Sequence, residues 1–191
     1  MTEPLLPEVV VAADARARQA GFSLACEPGV GRLLAALAAA VPPGGRILEM
    51  GTGVGVGTAW IVHGLTGRDD VGVVSVEIDP GVAAVARRGT WPPFVTLQVG
   101  DILDLIGPLG RFDLIFADSQ GGKWSGLDRT IQAVRPGGIL LVDDMRPPAW
   151  LNDEHRVKTA RVRATLLTHP ELITAELAEA SGMMLATRRR S

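Results

Sequence analysis

The chain has 191 residues, 47% hydrophobic and 21% charged, with a formal net charge of −2. That length and mixture suit one soluble, globular domain with a full core. The near-neutral charge speaks against wrapping nucleic acid as a main task, and the single cysteine, Cys26, excludes an intramolecular disulfide and fits a reducing compartment. The longest apolar run, Leu33 to Val41, is too short to cross a bilayer, and MTEPLLPEVV has no basic segment of the secretory kind, so a cytoplasmic protein is expected.

Residues 1–25 carry little readable signal, although Val9 to Ala20 could form a helix. Pro28 to Val41 is clearer. Val30, Leu33, Leu34, Leu37 and Val41 recur at helical spacing, Pro28 suits a first turn, and Pro42-Pro43-Gly44-Gly45 ends the segment. Arg46 to Met50 reads as a short buried strand, and Gly51, Gly53, Gly55 and Gly57 follow at every second position. From Thr58 to about Leu65 the pattern is helical. The glycines thus lie between a strand end and a helix start, where free N–H donors and a partial positive charge form a cradle for a ligand. The dinucleotide fingerprint G-x-G-x-x-G/A fails in every register, because its third small position falls on Val56, Thr58 or Trp60. What fits is an acid two residues before the first glycine: Glu49-x-Gly51-x-Gly53-x-Gly55.

Val71 to Ile78 is a β-branched run of the kind found in parallel strands covered on both faces. Glu77 near its end lies where an acid can reach ribose hydroxyls, or it caps the helix that Pro80 opens, a task for which Asp79 is better placed. Phe94 to Val99 is a third strand, followed by Gly100-Asp101-Ile102, with Asp101 open to an N-cap role. Phe112 to Ala117 is a fourth strand ending at Asp118. Lys123 to Val134 reads as a helix with Trp124, Leu127, Ile131 and Val134 on one face. Ile139 to Val142, introduced by Pro136-Gly137-Gly138, is a fifth strand ending at Asp143-Asp144. A basic helix from about Asn152 to Thr168 precedes an antiparallel pair, Leu172 to Ala178 and Met183 to Thr187, around Ala180-Ser181-Gly182. The expected fold is α/β: a doubly wound, mostly parallel seven-stranded sheet, Rossmann-like, with a reversed terminal hairpin. One domain spans 1–191, with 1–45 a helical N-terminal segment and 46–191 the core.

Ligands of open parallel sheets collect at the carboxyl ends of the strands, and those ends carry Glu49, Glu77, Asp101, Asp118, Asp143 and Asp144. Six acids on one rim repel one another unless cations or hydrogen-bond donors bind among them. The glycine motif with its preceding acid resembles the first motif of the class I S-adenosylmethionine-dependent methyltransferases. The order Asp118 … GGILLVDDM is similar to the cation-dependent O-methyltransferases, the group of the catechol and caffeoyl-coenzyme A O-methyltransferases. That likeness runs from about Glu27 to Thr187 and includes CEPGVGRLL.

The resemblance implies a cofactor, S-adenosylmethionine, held by Glu49, Gly51, Thr52, Gly53, Gly55, Gly57, Glu77, Ile78, Asp101, Ile102 and Asp118. It implies Mg2+ or another divalent cation on Asp118, Asp143 and Asp144, with Asp118 and Lys123 as catalytic residues. The reaction would be methyl transfer to a hydroxyl of a small acceptor, aromatic in the best-known members. Two departures stand out. The family places a lysine three residues after the first aspartate, where this chain has Gly121 and offers Lys123 two places later. Asp144 stands where asparagine is usual, which either tightens metal binding or marks a site that has abandoned it. Lys123 reads either as a general base or as a solvated lysine at a helix start.

Of the remaining candidates, His63 reads as structural or exposed, His155 as a surface or acceptor-pocket residue, and His169-Pro170 as a helix terminator. Trp124 and Trp150 either stack on a flat ligand or simply pack. Cys26 reads as a small buried hydrophobe, and Arg188-Arg189-Arg190 as a solvated tail. The partner expected is a small hydroxylated molecule, with no membrane and with a homodimer allowed by the apolar N-terminal helix. The alternatives are a tRNA nucleoside as acceptor, supported only by the basic helix and arginine tail, and a non-catalytic nucleotide-binding module.

Overall fold

The computed structural model describes residues 5–146 and 153–190. Its sheet comprises β1 (Arg46–Met50), β2 (Gly72–Glu77), β3 (Val95–Val99), β4 (Phe112–Ala117), β5 (Val134–Val142), β6 (Leu172–Leu177) and β7 (Met183–Arg188). The spatial order is β3-β2-β1-β4-β5-β7-β6, with β7 antiparallel to both its neighbours and every other pair parallel. This is the mostly parallel seven-stranded sheet with a reversed terminal hairpin that the sequence pattern predicts.

Alternation along the central strands sends side chains to two cores, which is why the strands read as continuous apolar runs. Leu48 and Met50 of β1, with Ile115 and Ala117 of β4, face one cluster. It is completed by Ile102 and Ile106 of α5 (Ile102–Leu109), Ile131 of α6 (Leu127–Ala133), and Val162 and Leu166 of α7 (Asp153–Thr168). Ile47, Leu114 and Phe116 point the other way, onto Val30 and Leu34 of α2 (Pro28–Ala39) and Ile61 of α3 (Val56–Gly64). A third cluster packs Val10, Ala13 and Ala17 of α1 (Glu8–Gln19) against Ala59 and Trp60 of α3, with Val82 and Val85 of α4 (Pro80–Ala86) at its margin.

Three boundaries differ from the sequence reading in ways that matter at the site. The helix after the glycines starts at Val56 rather than Thr58, so Gly57 belongs to its first turn and not to the loop. There Gly57 lies against Glu49: a Cβ would sit 2.3 Å from the Glu49 carboxylate. The helix expected from Lys123 starts only at Leu127, behind Gly126 in the left-handed region, which leaves Lys123 and Trp124 on a loop. Strand β5 begins at Val134 instead of Ile139. Val134 pairs with Phe112, and the Pro136-Gly137-Gly138 step is absorbed as a register shift.

Asp79 caps α4 by accepting from the Gly81 and Val82 amides, and Asp101 caps α5 through Leu103. Helix α7 is basic but largely neutralised. Arg156 meets Asp153 at 3.8 Å, Lys158 meets Glu154 at 2.6 Å, and Arg163 pairs with Glu176 of β6 at 2.6 Å. That removes most of the support for a nucleic-acid face. Trp150 and Asn152 lie outside the described residues. Among the described residues no helix is long and apolar enough to cross a membrane.

Candidate functional site

At the carboxyl end of β1 the chain turns through Gly51 and Gly53, both at positive φ, and reaches α3 through Gly55, its left-handed N-cap. The turn is tied to β2, because the Gly51 and Thr52 amides both donate to the Val76 carbonyl at 2.9 and 3.1 Å. Gly51 has no alternative. A Cβ there would stand 2.4 Å from the Asp118 carbonyl oxygen, so the ends of β1 and β4 approach as closely as they do only because the side chain is missing. Phe22 lies over Gly53 and Trp91 over Gly55, so close that a Cβ would stand 3.1 Å from the first ring and 2.7 Å from the second, inside ordinary van der Waals contact.

Glu49 is fully buried, enclosed by β1, β2 and α3 rather than exposed on the rim. Its Oε2 accepts from the Thr58 and Ser75 hydroxyls, the latter at 2.5 Å, while its Oε1 has no partner. Burial pushes this carboxyl up to about 7. The two hydroxyls oppose the rise, and the charge of Glu77 adds to it. Ser75 also shares a 2.6 Å hydrogen bond with Thr52, which links the buried acid to the glycine turn.

At the end of β2, Glu77 is half-buried, with both carboxylate oxygens on main-chain donors: Oε2 accepts from Gly53 at 2.9 Å and Oε1 from Asp79 at 3.0 Å. The next residue, Ile78, is 66% exposed, an apolar side chain left facing the open end of the sheet. Asp101, beyond β3, spends Oδ1 on the Leu103 amide at 2.8 Å, so the N-cap reading holds. Ile102 behind it is buried.

At the ends of β4 and β5 the structure brings Asp118, Asp143 and Asp144 together, one carboxylate oxygen of each lying within 4.8 Å of the others. Burial raises the Asp118 carboxyl well above its usual range. Lys123 pulls it down, and Asp143, Asp144 and Glu49 push it further up. Asp143 is raised by burial too, against hydrogen bonds from the Ser181 hydroxyl and the Asp144 amide. Lys123 is not a solvated helix-start lysine. Only 2% of it is exposed, and its Nζ lies 3.2 Å from Asp144 Oδ2 and 3.3 Å from the Asp143 carbonyl oxygen. The helical spacing of Trp124 misled because that ring packs in the loop, 4.4 Å edge-on from His155 of α7.

Three contributors were not legible as site residues. Ser181 reaches Asp143 from the β6–β7 turn, and that turn is held by Met145 and Arg146 amides donating to the Gly182 and Ser181 carbonyls. Cys26 lies close enough for Asp118, Asp143 and Glu49 to help burial raise its thiol well above normal. Phe22 arrives on the Gly53 turn from the N-terminal segment. A serine in a turn, a lone cysteine and an isolated phenylalanine leave no pattern by which any of them could have been found.

A strand–glycine turn–helix followed by acids at successive strand ends places the chain in the α/β class, and comparison with known proteins gives the family. A model of the methyltransferase domain matches residues 48–145, just over half of the chain, and the chain belongs to that family. Over 200 residues it is 28% identical to "Probable O-methyltransferase Rv1220c" of Mycobacterium tuberculosis (strain ATCC 25618 / H37Rv), covering 98% of this chain and 88% of that one. Cofactor-bound Rv0187 from MTB is similar in structure with a TM-score of 0.84 and 27% identity, over 97% of this chain and 92% of that one. O-methyltransferase TomG from Streptomyces achromogenes, solved in complex with SAM, shares the fold with a TM-score of 0.80 at 22% identity, over 97% and 91% of the two chains.

Proposed function

We propose that this protein is an S-adenosylmethionine-dependent O-methyltransferase that places a methyl group on a hydroxyl of a small acceptor. The observation that carries the reading is the adjacency of two half-sites. The glycine turn and Glu77 occupy the ends of β1 and β2, and the Asp118–Asp143–Asp144 cluster occupies the ends of β4 and β5, with Gly51 packed on the Asp118 main chain. Its relatives' names and the cofactors in related structures support the same reading.

The main chain of Gly51, Thr52, Gly53 and Gly55 would lie along the methionine part of the cofactor. Glu77, oriented by the Gly53 and Asp79 amides, keeps lone pairs for two ribose hydroxyls. Ile78 and Asp101 would meet the adenine, the first through its exposed apolar surface and the second through the carboxylate oxygen not spent on Leu103. Glu49, Gly57 and Ile102 act from behind, fixing the turn and the helices that present it. When bound, the cofactor would supply its methyl group to the acceptor oxygen and be left as a thioether, the hydroxyl proton passing to a base. Catalysis is then chiefly alignment of that oxygen with the S–CH3 bond.

Asp118 and Lys123 are the side chains proposed to meet the acceptor hydroxyl. Three clustered carboxylate oxygens fit a hard divalent cation such as Mg2+, which Asp118, Asp143 and Asp144 would hold. When bound, such an ion stabilises negative charge on an acceptor oxygen.

Thermal denaturation with S-adenosylmethionine and S-adenosylhomocysteine tests the cofactor. At a hundred times its dissociation constant a ligand adds about 2.7 kcal/mol, and an unmoved melting curve would end the proposal. Transfer of a labelled methyl group to catechol-type acceptors tests the chemistry. The proposal also treats 1–191 as one domain, a cytoplasmic homodimer. The exposed Leu5, Val11 and Leu24 of the N-terminal segment support self-association, which sedimentation would measure.

A further inference from the structure

Lys123 and Lys158 are the only lysines of the chain; its other basic side chains, apart from histidine, are all arginines. Lys158 is a surface residue, paired with Glu154 along one face of α7. Lys123 is the opposite case. An ammonium that is 2% exposed has lost nearly all its water, a loss tolerated only where anions face it. Those anions are Asp118, Asp143 and Asp144, and its direct contacts are Asp144 Oδ2 and the Asp143 carbonyl, with the Trp124 ring centroid 5.1 Å away.

The loop is built to hold that position. Trp124 N–H donates to the Gln120 carbonyl at 2.9 Å, Gly122 N–H to the Ser125 carbonyl at 2.7 Å, and the Thr130 hydroxyl to the Gly122 carbonyl at 2.7 Å. Asp144 meets the lysine from a left-handed backbone, φ 58°, which few residues other than glycine adopt, and its amide donates to Asp143 Oδ1 at 2.7 Å.

The Lys123 ammonium already sits on one Asp144 oxygen, where a divalent ion bound through that oxygen would have to take its place, and the two charges a few ångströms apart repel although Asp144 itself is exposed. Lysine suits a replaceable occupant better than arginine does, being a single point charge on a flexible stem instead of a rigid fork. We propose that Lys123 is the resident counter-cation of the Asp118–Asp143–Asp144 cluster, and that a divalent ion enters only by displacing its ammonium. One side chain then sets how tightly the protein holds metal. This rests on the reading of the cluster as a place for a cation, and it holds whatever the acceptor is.

The test uses Mn2+ alone on the full chain. Calorimetric titration compares wild type with Lys123→Met, which keeps most of the stem and removes the charge, and with Lys123→Arg, which keeps the charge. Lys123→Met should bind Mn2+ at least about tenfold more tightly than wild type. Without metal it should melt below wild type, and Mn2+ should raise its melting temperature. Lys123→Arg should bind no better than wild type. Equal or weaker binding by Lys123→Met, or no Mn2+ binding by either, overturns the proposal.

A second measurement needs no variant, so it decides the matter if Lys123→Met does not fold. Lysine acetylation is read by mass spectrometry, with Lys158 as the reference in the same molecule. Saturating Mn2+ should raise the labelling of Lys123 relative to Lys158, and labelling unchanged with Mn2+ bound would refute displacement. The S-adenosylmethionine melting shift is scored separately. A protein that exchanges lysine for Mn2+ but ignores that cofactor would sink methyl transfer and leave this inference standing.

Discussion

Replacing Glu49 by glutamine should stabilise the protein at neutral pH, although it removes the acid of the glycine motif. Glu49 has no exposed surface and its carboxyl sits at about 7 instead of 4.5, chiefly because burial disfavours the charge. The folded chain therefore binds this proton more tightly than the unfolded chain does. Below about pH 4.5 both states hold it and the residue costs nothing. As pH climbs through the interval, the unfolded state releases the proton first, and stability falls by about 1.4 kcal/mol per pH unit. The loss is complete above pH 7 and amounts to about 3 kcal/mol at most. Glutamine mimics the protonated form: its oxygen can accept from Thr58 and Ser75, and its amide takes the place of the partnerless Oε1. Urea denaturation of wild type and Glu49→Gln between pH 4.5 and 8 is the assay. The Glu49→Gln advantage should be smallest at the acid end and grow to a plateau above pH 7. Parallel stability curves across that range would show that burial does not hold the proton on Glu49.

Gly51→Ala should destabilise by at least about 2 kcal/mol, from an unfavourable φ and from the clash with the Asp118 carbonyl, and urea denaturation would register it. Glu77→Ala should weaken S-adenosylmethionine roughly tenfold to a hundredfold in calorimetry while the fold persists, and undiminished affinity would remove the ribose contact from the proposal. Half-buried Cys26 should react more slowly with thiol reagents in the native protein at pH 8 than in urea, because its partial burial and the nearby carboxylates disfavour its thiolate. Rapid native labelling would contradict that electrostatic picture.

What the sequence made legible follows from how each part is held. Strands covered on both faces must be apolar at nearly every position, so Arg46 to Met50 and Phe112 to Ala117 read directly as strands, and the acids that end the run could be assigned to one rim. Gly51 and Gly53 were recognisable because a turn at positive φ tolerates little else. The loop from Asp118 to Gly126 has no such periodicity. Its course is set by long-range contacts, Trp124 on His155 and Lys123 on Asp144, and neither leaves a local trace. Glu49 was legible as part of a motif but not in its placement, because whether a strand-end acid turns outward or under the helix depends on Ser75, 26 residues away, and on the missing Cβ of Gly57. The early start assigned to α6 has a plain cause: Trp124, Leu127 and Ile131 fit helical spacing whether or not the first of them is helical.

The hydroxyl of Ser181 on Asp143 gives the two halves of the crevice different histories. Every strand that carries the proposed cofactor half lies before Asp118, whereas the Ser181 hydroxyl reaches Asp143 from a turn 38 residues further on. As the chain leaves the ribosome, the glycine turn and Glu77 can be assembled while the half around Asp143 is still loose. That half is secured last, when β7 slides between β5 and β6 and closes the sheet. Cutting the tail before Ser181 would take away the hydroxyl on Asp143 together with β7, the strand that joins β6 to the rest of the sheet.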